Sequence, residues 1–498
     1  MENEKFFYRF RSMEALLEDY QELENEEIYF TPAKYLNDPL EGYMDLSFKG
    51  DRILWTNFFK NYIFCLLTFR FMVTLAGNDD KFTKDDINTN FNYKLKEDLS
   101  MEGQPYRILC DEIFANPVVQ KIIDYFSIRE KPISKDELIM FLKGLHFYFL
   151  NTFVLVEMKK GMMKAPDEEI QKRYNESLGS LEFLGKAIDT LTQTDDTISV
   201  FKTISQFMNT MTDTFVYLRN LQNAENVIAE NNFQLLLNFP KLYIDKLYDI
   251  MYPYPVLACF SEDYQDLSMW GYYANSSKGV CLIYKPKVKH NSFFLPIKKV
   301  TSWGVNKNGE YRESKSFVDM ELKPVSYSKQ RPLIPFFRSL GRLTLQQLKT
   351  HWYSNCNGEV SEIVHDLLDK LGEDKWRKNY WDNITNCINT KHTSWMHEKE
   401  YRVAIIPMFD DEYDTKEKRK LKYKFSSLAG LIFGVNADEQ KKLEVIKILH
   451  EKCNKYGIKD FKLYQAIYNN ESGEIEKIPI NIFEHLISSN NLDKISNK

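Results

Sequence analysis

Residues 395–407, Trp-Met-His-Glu-Lys-Glu-Tyr-Arg-Val-Ala-Ile-Ile-Pro, join three charged side chains to an apolar segment that ends at Pro407. The apolar part predicts a β-strand, because a proline cannot donate a ladder hydrogen bond and therefore stops it. Side chains alternate between the faces of a strand, so Glu398, Glu400 and Arg402 are expected to point together. This group suits acid–base chemistry or stabilisation of a developing cation, whereas an exposed ion pair at a strand end is the alternative.

Short strands and helices lie on both sides of this run in the sequence. Strands are predicted at residues 6–10, 27–31, 255–261, 279–284, 401–407, 428–434 and 462–466, with helices at 12–22, 266–274 and 439–456. Residues 1–45 and 251–484 are therefore expected to form the two parts of one mixed α/β core domain. Beyond it, the Ser/Asn/Lys-rich residues 485–498 are expected to form a flexible tail.

Residues 46–250 have a different pattern. Apolar side chains recur at intervals of three and four residues over 138–159, 167–191, 197–219 and 224–248, which predicts long helices. Residues 335–390 also have a helical pattern. The expected fold class is α+β, with a β-core flanked by helices and interrupted at 46–250 by an all-α insertion domain.

Composition narrows the class of protein. The chain has 498 residues, too many for one ordinary core, and a net charge of −5, which argues against extended duplex binding through a basic face. Its seven cysteines form no Cys-x-x-Cys pair, so reduced thiols in the cytoplasm are expected. The polar N-terminus does not resemble a signal peptide. The apolar stretch 53–76 is interrupted by Lys60 and Arg70, which favours a buried helix over a membrane span.

Two classes of ligand site have no support in the sequence. His392 and His397 are not accompanied by further ligands at metal-site spacing, so no metal is expected. The chain also lacks Gly-x-x-x-x-Gly-Lys and Gly-x-Gly-x-x-Gly, the glycine-rich loops that hold phosphates.

A second candidate feature is Cys259-Phe-Ser261, at the end of a predicted strand and before a predicted helix that carries Trp270 and Tyr273. A hydroxyl at a strand tip beside aromatic side chains suits the wall of a ligand cleft. Ser261 can equally be a capping or turn serine. No Gly-x-Ser-x-Gly surrounds it, which disfavours a serine hydrolase.

Two further features lie near the N-terminus. Tyr8-Arg9-Phe10 puts an arginine within an aromatic strand, where it needs an anionic partner from the protein or from a ligand phosphate. The segment Asn37-Asp38-Pro39 is typical of a turn, although an Asn and an Asp at a strand exit can also bind ribose hydroxyls.

Together, Tyr8-Arg9, Ile28-Tyr-Phe-Thr-x5-Asn-Asp-Pro, Cys-Phe-Ser261 with Met-Trp270-x2-Tyr-Ala, and Trp-x2-Glu-x-Glu-Tyr-Arg402 resemble a bacterial family. It is the family of unknown function numbered 2971. The resemblance covers about residues 1–45 and 251–470 and leaves 46–250 outside. The family name implies no activity.

The chain also resembles, more distantly, the ADP-ribosyltransferases. That fold is a strongly bent β-core with an Arg or His on an early strand, a Ser or Tyr on a middle strand and a Glu at the opening of a later strand. Arg9, Ser261 and Glu400 follow this order, and Tyr29 is the alternative for the middle position. Glu398-Lys-Glu400 is similar to the Glu-x-Glu strand of the arginine-type enzymes, but Phe-Ser-Glu stands where those enzymes have Ser-Thr-Ser.

This resemblance implies a set of roles with NAD as substrate. Glu400 would stabilise the positive charge that develops as the nicotinamide–ribose bond breaks, and Glu398 would orient or deprotonate the acceptor. Arg9 would hold the pyrophosphate or adenylate end, and Ser261 would orient the ribose. The further positions that would contact NAD are Tyr8, Tyr29, Thr31, Asn37, Asp38, Trp270, Tyr273 and Arg402.

Three functions remain open. The first is NAD cleavage with modification of a protein or nucleic acid, as a toxin or anti-phage effector. The second is a non-catalytic sensor of a nucleotide or phage ligand. The third is a metal-dependent nuclease that uses Glu398 and Glu400. In the second, the helical insertion 46–250 contacts a partner protein, and this insertion is expected to determine the choice of partner.

Overall fold

The computed structural model describes residues 4–38, 44–76, 80–89, 104–161, 167–193, 200–210, 227–305, 309–409 and 411–481. The chain forms two compact units. The sheet unit comprises residues 1–43, 253–332 and 385–498, and the helical unit comprises 44–252 and 333–384. Pro39 and the predicted tail 485–498 lie outside the described residues.

The strands are named in chain order. They are β1 (Phe7–Arg11), β2 (Glu27–Tyr29), β3 (Thr31–Pro32), β4 (Asp45–Phe48), β5 (Ile133–Ser134), β6 (Val256–Ser261), β7 (Val280–Tyr284), β8 (Lys287–Lys289), β9 (Ser292–Val305), β10 (Tyr311–Pro324), β11 (Ser326–Tyr327), β12 (Leu333–Pro335), β13 (Thr390–Lys391), β14 (Glu400–Ile405), β15 (Lys420–Lys422), β16 (Leu428–Phe433), β17 (Lys462–Asn469) and β18 (Glu474–Pro479).

Most of the strands in the sheet unit join one large open sheet. Its order is β18-β17-β16-β7-β1-β6-β14-β10-β9-β8, and β3 pairs with β6 beside this path. Neighbouring strands are antiparallel except for β16 and β17. A parallel pair needs a long crossover, and the helix Glu439–Tyr456 provides it. The mixed α+β class predicted from the sequence is therefore confirmed.

Helices cover both faces of this sheet. In the sheet unit, helical segments are Ala15–Asp19, Glu22–Asn25, Ala33–Tyr35, Leu267–Tyr273, Thr393–Glu398, Glu417–Arg419, Phe425–Ser427 and Glu439–Tyr456. One core contains Phe7 with Leu16 and Leu449 of the helices on that face. The other contains Tyr8 with Trp270 of the helix Leu267–Tyr273. Because neighbouring residues of β1 enter opposite cores, the sheet is buried on both sides.

The N-terminal helix is shorter than predicted for residues 12–22. Ser12 accepts a hydrogen bond from the Ala15 amide at 3.1 Å, as the predicted cap requires. The helix is interrupted because Gln21 adopts a left-handed backbone with φ 51°. A new helix begins at Glu22, whose side chain then turns into the protein interior.

The helical unit contains the long helices expected from the periodicity. Its helical segments are Arg52–Ala76, Lys84–Asp86, Gln104–Phe114, Pro117–Ile128, Lys135–Lys159, Asp167–Gln193, Val227–Leu237, Phe239–Lys246, Tyr248–Met251, Phe336–Arg338, Leu345–Gln347, Leu348–Tyr353, Glu362–Val364, His365–Lys370 and Glu373–Ile388, of which the last extends into the sheet unit. Residues 200–210 are helical too.

Two features of this unit differ from the predicted all-α insertion. It has a three-stranded sheet of order β12-β4-β5, and it includes residues 333–384, which were expected in the core domain. Aromatic packing accounts for the second difference. The Phe336 ring lies 5.3 Å from Phe48 and 6.2 Å from Phe58, so residues distant in sequence share one apolar core that no local pattern discloses.

Two helices of the described part are long and apolar enough to cross a membrane by length and composition, Arg52–Ala76 and Lys135–Lys159. In their most apolar windows, 50% and 61% of the residues are buried inside the protein. The core helices of globular proteins have the same properties, so these two helices are weak evidence for a membrane span. The first of them corresponds to the helix predicted at 53–76.

A buried histidine of the helical unit leads to a prediction about stability and pH. The His146 Nδ1 lies 2.9 Å from the Tyr62 hydroxyl, and burial lowers the pKa of His146 from 6.5 to about 3. The unfolded chain therefore binds a proton below pH 6.5 that the folded protein excludes. As the pH falls from 6.5 towards 3, we expect the free energy of unfolding to decrease by up to about 1.4 kcal/mol per pH unit. The pH dependence of denaturant unfolding should be weaker in His146→Gln, and parallel curves would contradict the prediction.

Candidate functional site

The large sheet splits on one side of β6. Along its other side, β6 pairs with β14 from Ser261 to Val256. On the split side, β1 pairs only at Tyr8↔Ser261, and β3 pairs at Thr31↔Leu257 and Pro32↔Val256. Within the described residues, 258–260 have no strand neighbour on this side. A cleft opens there, with a cavity volume of about 220 Å³.

Most of the candidate residues from the sequence line this cleft. They are Tyr8, Arg9, Tyr29, Thr31, Asn37, Ser261, Tyr273, Glu398 and Glu400. The three others, Asp38, Trp270 and Arg402, are not among its lining residues. Residues from four distant parts of the chain therefore meet at one site.

The carboxylates of Glu398 and Glu400 meet at a lysine. Lys391 Nζ lies 2.5 Å from Glu398 Oε2 and 3.2 Å from Glu400 Oε2, and all three side chains are buried. Glu398 ends a short helix and Glu400 begins β14, with Lys399 between them in a left-handed conformation at φ 45°. The predicted shared face of one strand is thus a turn that brings both carboxylates to one ammonium.

Arg402 lies behind Glu400. Its Nε and Nη2 donate to the two carboxylate oxygens of Glu400 at 2.8 and 2.9 Å, and its Nη1 donates to the Ile388 carbonyl. Burial opposes ionisation of Glu400, but Arg402 and Lys391 outweigh it and lower its pKa to about 2. Glu400 is therefore a carboxylate at neutral pH, and its charge is compensated by two cations.

Two tyrosines complete the acidic group. The Tyr273 hydroxyl donates to Glu398 Oε1 at 2.8 Å, and burial together with Glu398 raises the pKa of Tyr273. The Tyr327 hydroxyl accepts from the backbone amide of Glu400 at 2.8 Å. Tyr273 thereby orients the Glu398 carboxylate, and Tyr327 holds the backbone at Glu400.

Ser261 fixes the loop at the tip of β6. Its hydroxyl donates to the Glu398 carbonyl at 2.7 Å and accepts from the Asp263 amide at 3.0 Å. Ser261 therefore has the turn role that the sequence left open, and it also lies directly opposite Glu400 in the pairing of β6 with β14. Its buried side chain joins the loop to the acidic group.

The strand registers separate the candidates between the two faces of the sheet. Residues that are directly opposite in antiparallel strands point to the same face, so Tyr8, Ser261 and Glu400 share one face. Arg9 follows Tyr8 in β1 and therefore points to the other face, where its guanidinium lies 5.8 Å from the Phe260 ring. Arg9 reaches the same cleft because the sheet is split beside β1.

Arg9 has an anionic partner within the protein. Its Nη2 donates to the Tyr29 carbonyl at 3.1 Å and lies 3.4 Å from Glu22 Oε1. Arg11 donates to the same carboxylate at 2.7 and 2.9 Å. Burial lowers the pKa of Arg9, and Glu22 opposes this shift. Two guanidinium groups share one carboxylate, so this end of the cleft has an excess of positive charge.

The remaining candidates have varied surroundings. The Tyr29 ring stacks on Tyr20 at 4.3 Å, while Thr31 and Asn37 line the cleft. Asp38 is buried 3.4 Å from Arg331. Trp270 is buried in the core next to Phe10, and its Nε1 donates to the Tyr264 carbonyl at 2.7 Å, so its indole is not available for stacking on a ligand in the cleft.

Sequence reasoning missed Lys391 and Glu22. Lys391 lies in β13, which pairs with β11 in parallel, and its ammonium also lies 4.7 Å from the Trp395 ring. No motif contained either residue. The only signal was the electrostatic need of Arg9 for an anion and of two adjacent carboxylates for a cation.

Metal binding has no geometric support in the described residues, where no three His, Cys, Asp or Glu side chains form a group that could hold an ion. Lys391 contacts both carboxylates that a metal-dependent nuclease would use as ligands.

Comparison with protein families finds a match for part of the chain. Residues 269–403 match the family described as Protein of unknown function (DUF2971). The DUF2971 segment includes Lys391, Glu398, Glu400 and Arg402, so the predicted resemblance to this family is confirmed for that range. It does not include β1, Glu22 or Ser261.

The other comparisons are negative. No curated protein and no solved structure matches the chain. The bacterial origin of the chain and the ADP-ribosyltransferase-like form of its β-core therefore stay predictions, as does family resemblance outside the DUF2971 segment.

Proposed function

We propose that the protein is an ADP-ribosyltransferase-like enzyme that binds NAD in this cleft, cleaves the nicotinamide–ribose bond and modifies a macromolecule. One observation carries the proposal. Ser261 and Glu400 lie directly opposite each other on neighbouring strands, and Arg9 lines the same cleft from the adjacent strand. The three positions that follow the order of that enzyme class in the sequence thus converge on one site.

The proposed reaction needs little covalent chemistry from the protein. As the C1′–N bond breaks, its electron pair leaves with nicotinamide and positive charge develops on the ribose. Glu400 is ionised and buried, so its carboxylate can stabilise that charge and accept a hydrogen bond from a ribose hydroxyl. The nucleophilic atom of the acceptor then forms its bond to C1′ and loses its proton, and Glu398 orients that nucleophile or takes up the proton. Tyr273 and Lys391 hold Glu398 in place.

Phosphate recognition belongs to the opposite end of the cleft. Arg9 and Arg11 share Glu22, which leaves one guanidinium charge for the pyrophosphate of NAD. Tyr8, Thr31 and Asn37 lie along the wall and suit contacts to ribose or base. Tyr29 stays the alternative to Ser261 for the middle position, because both line the cleft.

One observation favours the second candidate, a non-catalytic nucleotide sensor. The Glu400 carboxylate already receives hydrogen bonds from Arg402 and Lys391. A neutralised carboxylate stabilises a developing cation less than a free one does. In this alternative the cleft binds the nucleotide intact, and the acidic group serves to shape the site.

The biological setting of the proposal is a cytoplasmic toxin or anti-phage effector. The acceptor is a protein or nucleic acid, and the helical unit is the proposed surface for a partner protein.

Glu400→Gln tests the function directly. With labelled NAD, we expect nicotinamide release to fall at least about 100-fold relative to wild type, because the substitution removes the stabilising charge. Protein, RNA and DNA from cell extracts are offered as acceptors. The matched control is Glu262→Gln, which changes a half-buried glutamate paired with Lys5 outside the cleft lining. NAD binding without turnover in the wild type would favour the sensor, and neither binding nor turnover would exclude both.

A further inference from the structure

We infer that Lys391 is the positioning residue that holds the carboxyl groups of Glu398 and Glu400 together at the cleft, an inference that rests on the proposed function. Its ammonium contacts both carboxylates and lines the cleft itself. Its side chain is only 4% exposed, so this contact is part of the folded interior.

Charge and an aromatic ring both hold Lys391 at this position. Burial alone would lower the pKa of Lys391, but Glu400 and Glu398 raise it above its usual range. The ammonium is therefore charged throughout the physiological range. Trp395 provides a ring 4.7 Å from the ammonium, which adds a cation–π contact and limits the movement of the side chain.

Without Lys391, the two carboxylates would face each other with less compensation. Two buried carboxylates that share one site do not both ionise readily, and one of them takes up a proton. Arg402 would still compensate Glu400, while the Tyr273 hydroxyl, a neutral donor, would still contact Glu398. The loss of Lys391 should therefore affect Glu398 first.

The other groups that face this pair cannot replace the ammonium. Tyr273 contacts the Glu398 carboxylate and Tyr327 accepts from the Glu400 amide. Both are neutral hydroxyls, because burial raises the pKa of Tyr327 to about 12 and also raises that of Tyr273. Cys259 of β6 lies beside Glu400, and burial raises the pKa of its thiol. Besides Lys391, Arg402 is the cation that contacts either carboxylate among the described residues, and it lies on the side away from the cleft lining.

This role differs from that of a simple core residue. A purely structural lysine would change the amount of folded protein but would leave the pH profile of the reaction per folded molecule where it is. A lysine that sets the protonation of two carboxylates would change the pH dependence of the reaction as well. The position of Lys391 next to Trp395 also provides a fluorescent reporter that does not require turnover.

The experiment compares Lys391→Met, Lys391→Gln and Lys391→Arg with the wild type. For NAD cleavage, we expect the acid limb of the kcat/KM profile to move up by at least about one pH unit in the Met and Gln variants, and to stay in place in the Arg variant. The Gln variant keeps hydrogen-bond donors for the carboxylates if the Met variant fails to fold. The control is Lys399→Met, since Lys399 is exposed and pairs with Asp263.

A second readout separates this inference from the proposed function. The fluorescence of Trp395, isolated by subtraction of the same variant with Trp395→Phe, is titrated with acid in the absence of NAD. A new proton-binding step above about pH 5 in the Met and Gln variants supports the inference even when no protein cleaves NAD, in which case only the proposed function fails. An unchanged titration, or equal loss of activity at every pH, would overturn it.

Discussion

Arg402→Met is expected to lower the free energy of unfolding by about 3–5 kcal/mol at pH 7, because it removes one partner of a buried ion pair and leaves the other. The side chain of Arg402 is completely buried. Both of its bonds to Glu400 and its bond to the Ile388 carbonyl would be lost. Methionine is similar in length, so the effect is mainly electrostatic. Denaturant unfolding at pH 7 measures it.

The pH dependence of this effect has a defined sign. The pKa of Glu400 in the folded protein, about 2, lies below its ordinary value of 4.5. The stabilisation is therefore complete above pH 4.5 and is lost as the pH falls towards 2. The difference between wild type and Arg402→Met should shrink over the same interval.

A double variant provides the control. Glu400→Leu combined with Arg402→Met removes both charges, and replacement of a whole buried pair by apolar side chains is often neutral. We expect it to recover most of the lost stability while remaining inactive towards NAD. If the single variant is as stable as the wild type, the ion pair does not hold β14 in place.

The sequence was sufficient to predict the strands and helices that have a clear local pattern. The run from Val403 to Ile405 in β14 and the apolar run of β6 were recognisable from composition and stop signals, and the structure has strands there. The helix Glu439–Tyr456 was predicted at the same bounds, and in the structure Asp438 caps its start and Gly457 follows its end.

The hairpin of β9 and β10 could not be predicted in the same way. Its two strands have 14 residues each, but residues 301–305 and 312–317 are exposed or half-exposed. At this end of the hairpin neither strand has a buried face and so neither has an alternation of polar and apolar side chains, whereas Leu295, Ile297 and Leu322 at the other end are in the core. The stability of β10 comes from pairing with β9, which local sequence does not record.

The sequence predicted the position of the candidate site better than the full set of residues that form it. The order of Arg9, Ser261 and Glu400 along the chain indicated one site, and all three line one cleft. Their faces were not predictable, because the side on which Arg9 lies depends on the register Tyr8↔Ser261 and on the split beside β1. Lys391 and Glu22 are part of the site only through contacts between segments that are distant in the sequence, so no local pattern indicated them.

Glu22→Ala is expected to have an effect as large as that of Arg402→Met, about 3–5 kcal/mol in the free energy of unfolding. Glu22 is 2% exposed, and its carboxylate accepts from Arg9, Arg11 and the Tyr29 amide. Its removal leaves Arg9 as a buried cation without a carboxylate at hydrogen-bonding distance among the described residues. Glu22→Gln keeps an acceptor for the Tyr29 amide, so its loss should be smaller.

Two controls accompany Glu22→Ala: a substitution elsewhere in the same helix, and a double substitution that also removes the charge of its partner Arg9. Glu24→Ala changes an exposed residue of the helix Glu22–Asn25 and should stay within about 0.5 kcal/mol of the wild type. Glu22→Leu with Arg9→Met removes the buried charge pair and should recover part of the stability. If Glu22→Ala unfolds at the same denaturant concentration as Glu24→Ala, Arg9 is compensated by another group. In that case the excess of positive charge at this end of the cleft, and with it the proposed phosphate contact, would lose its basis.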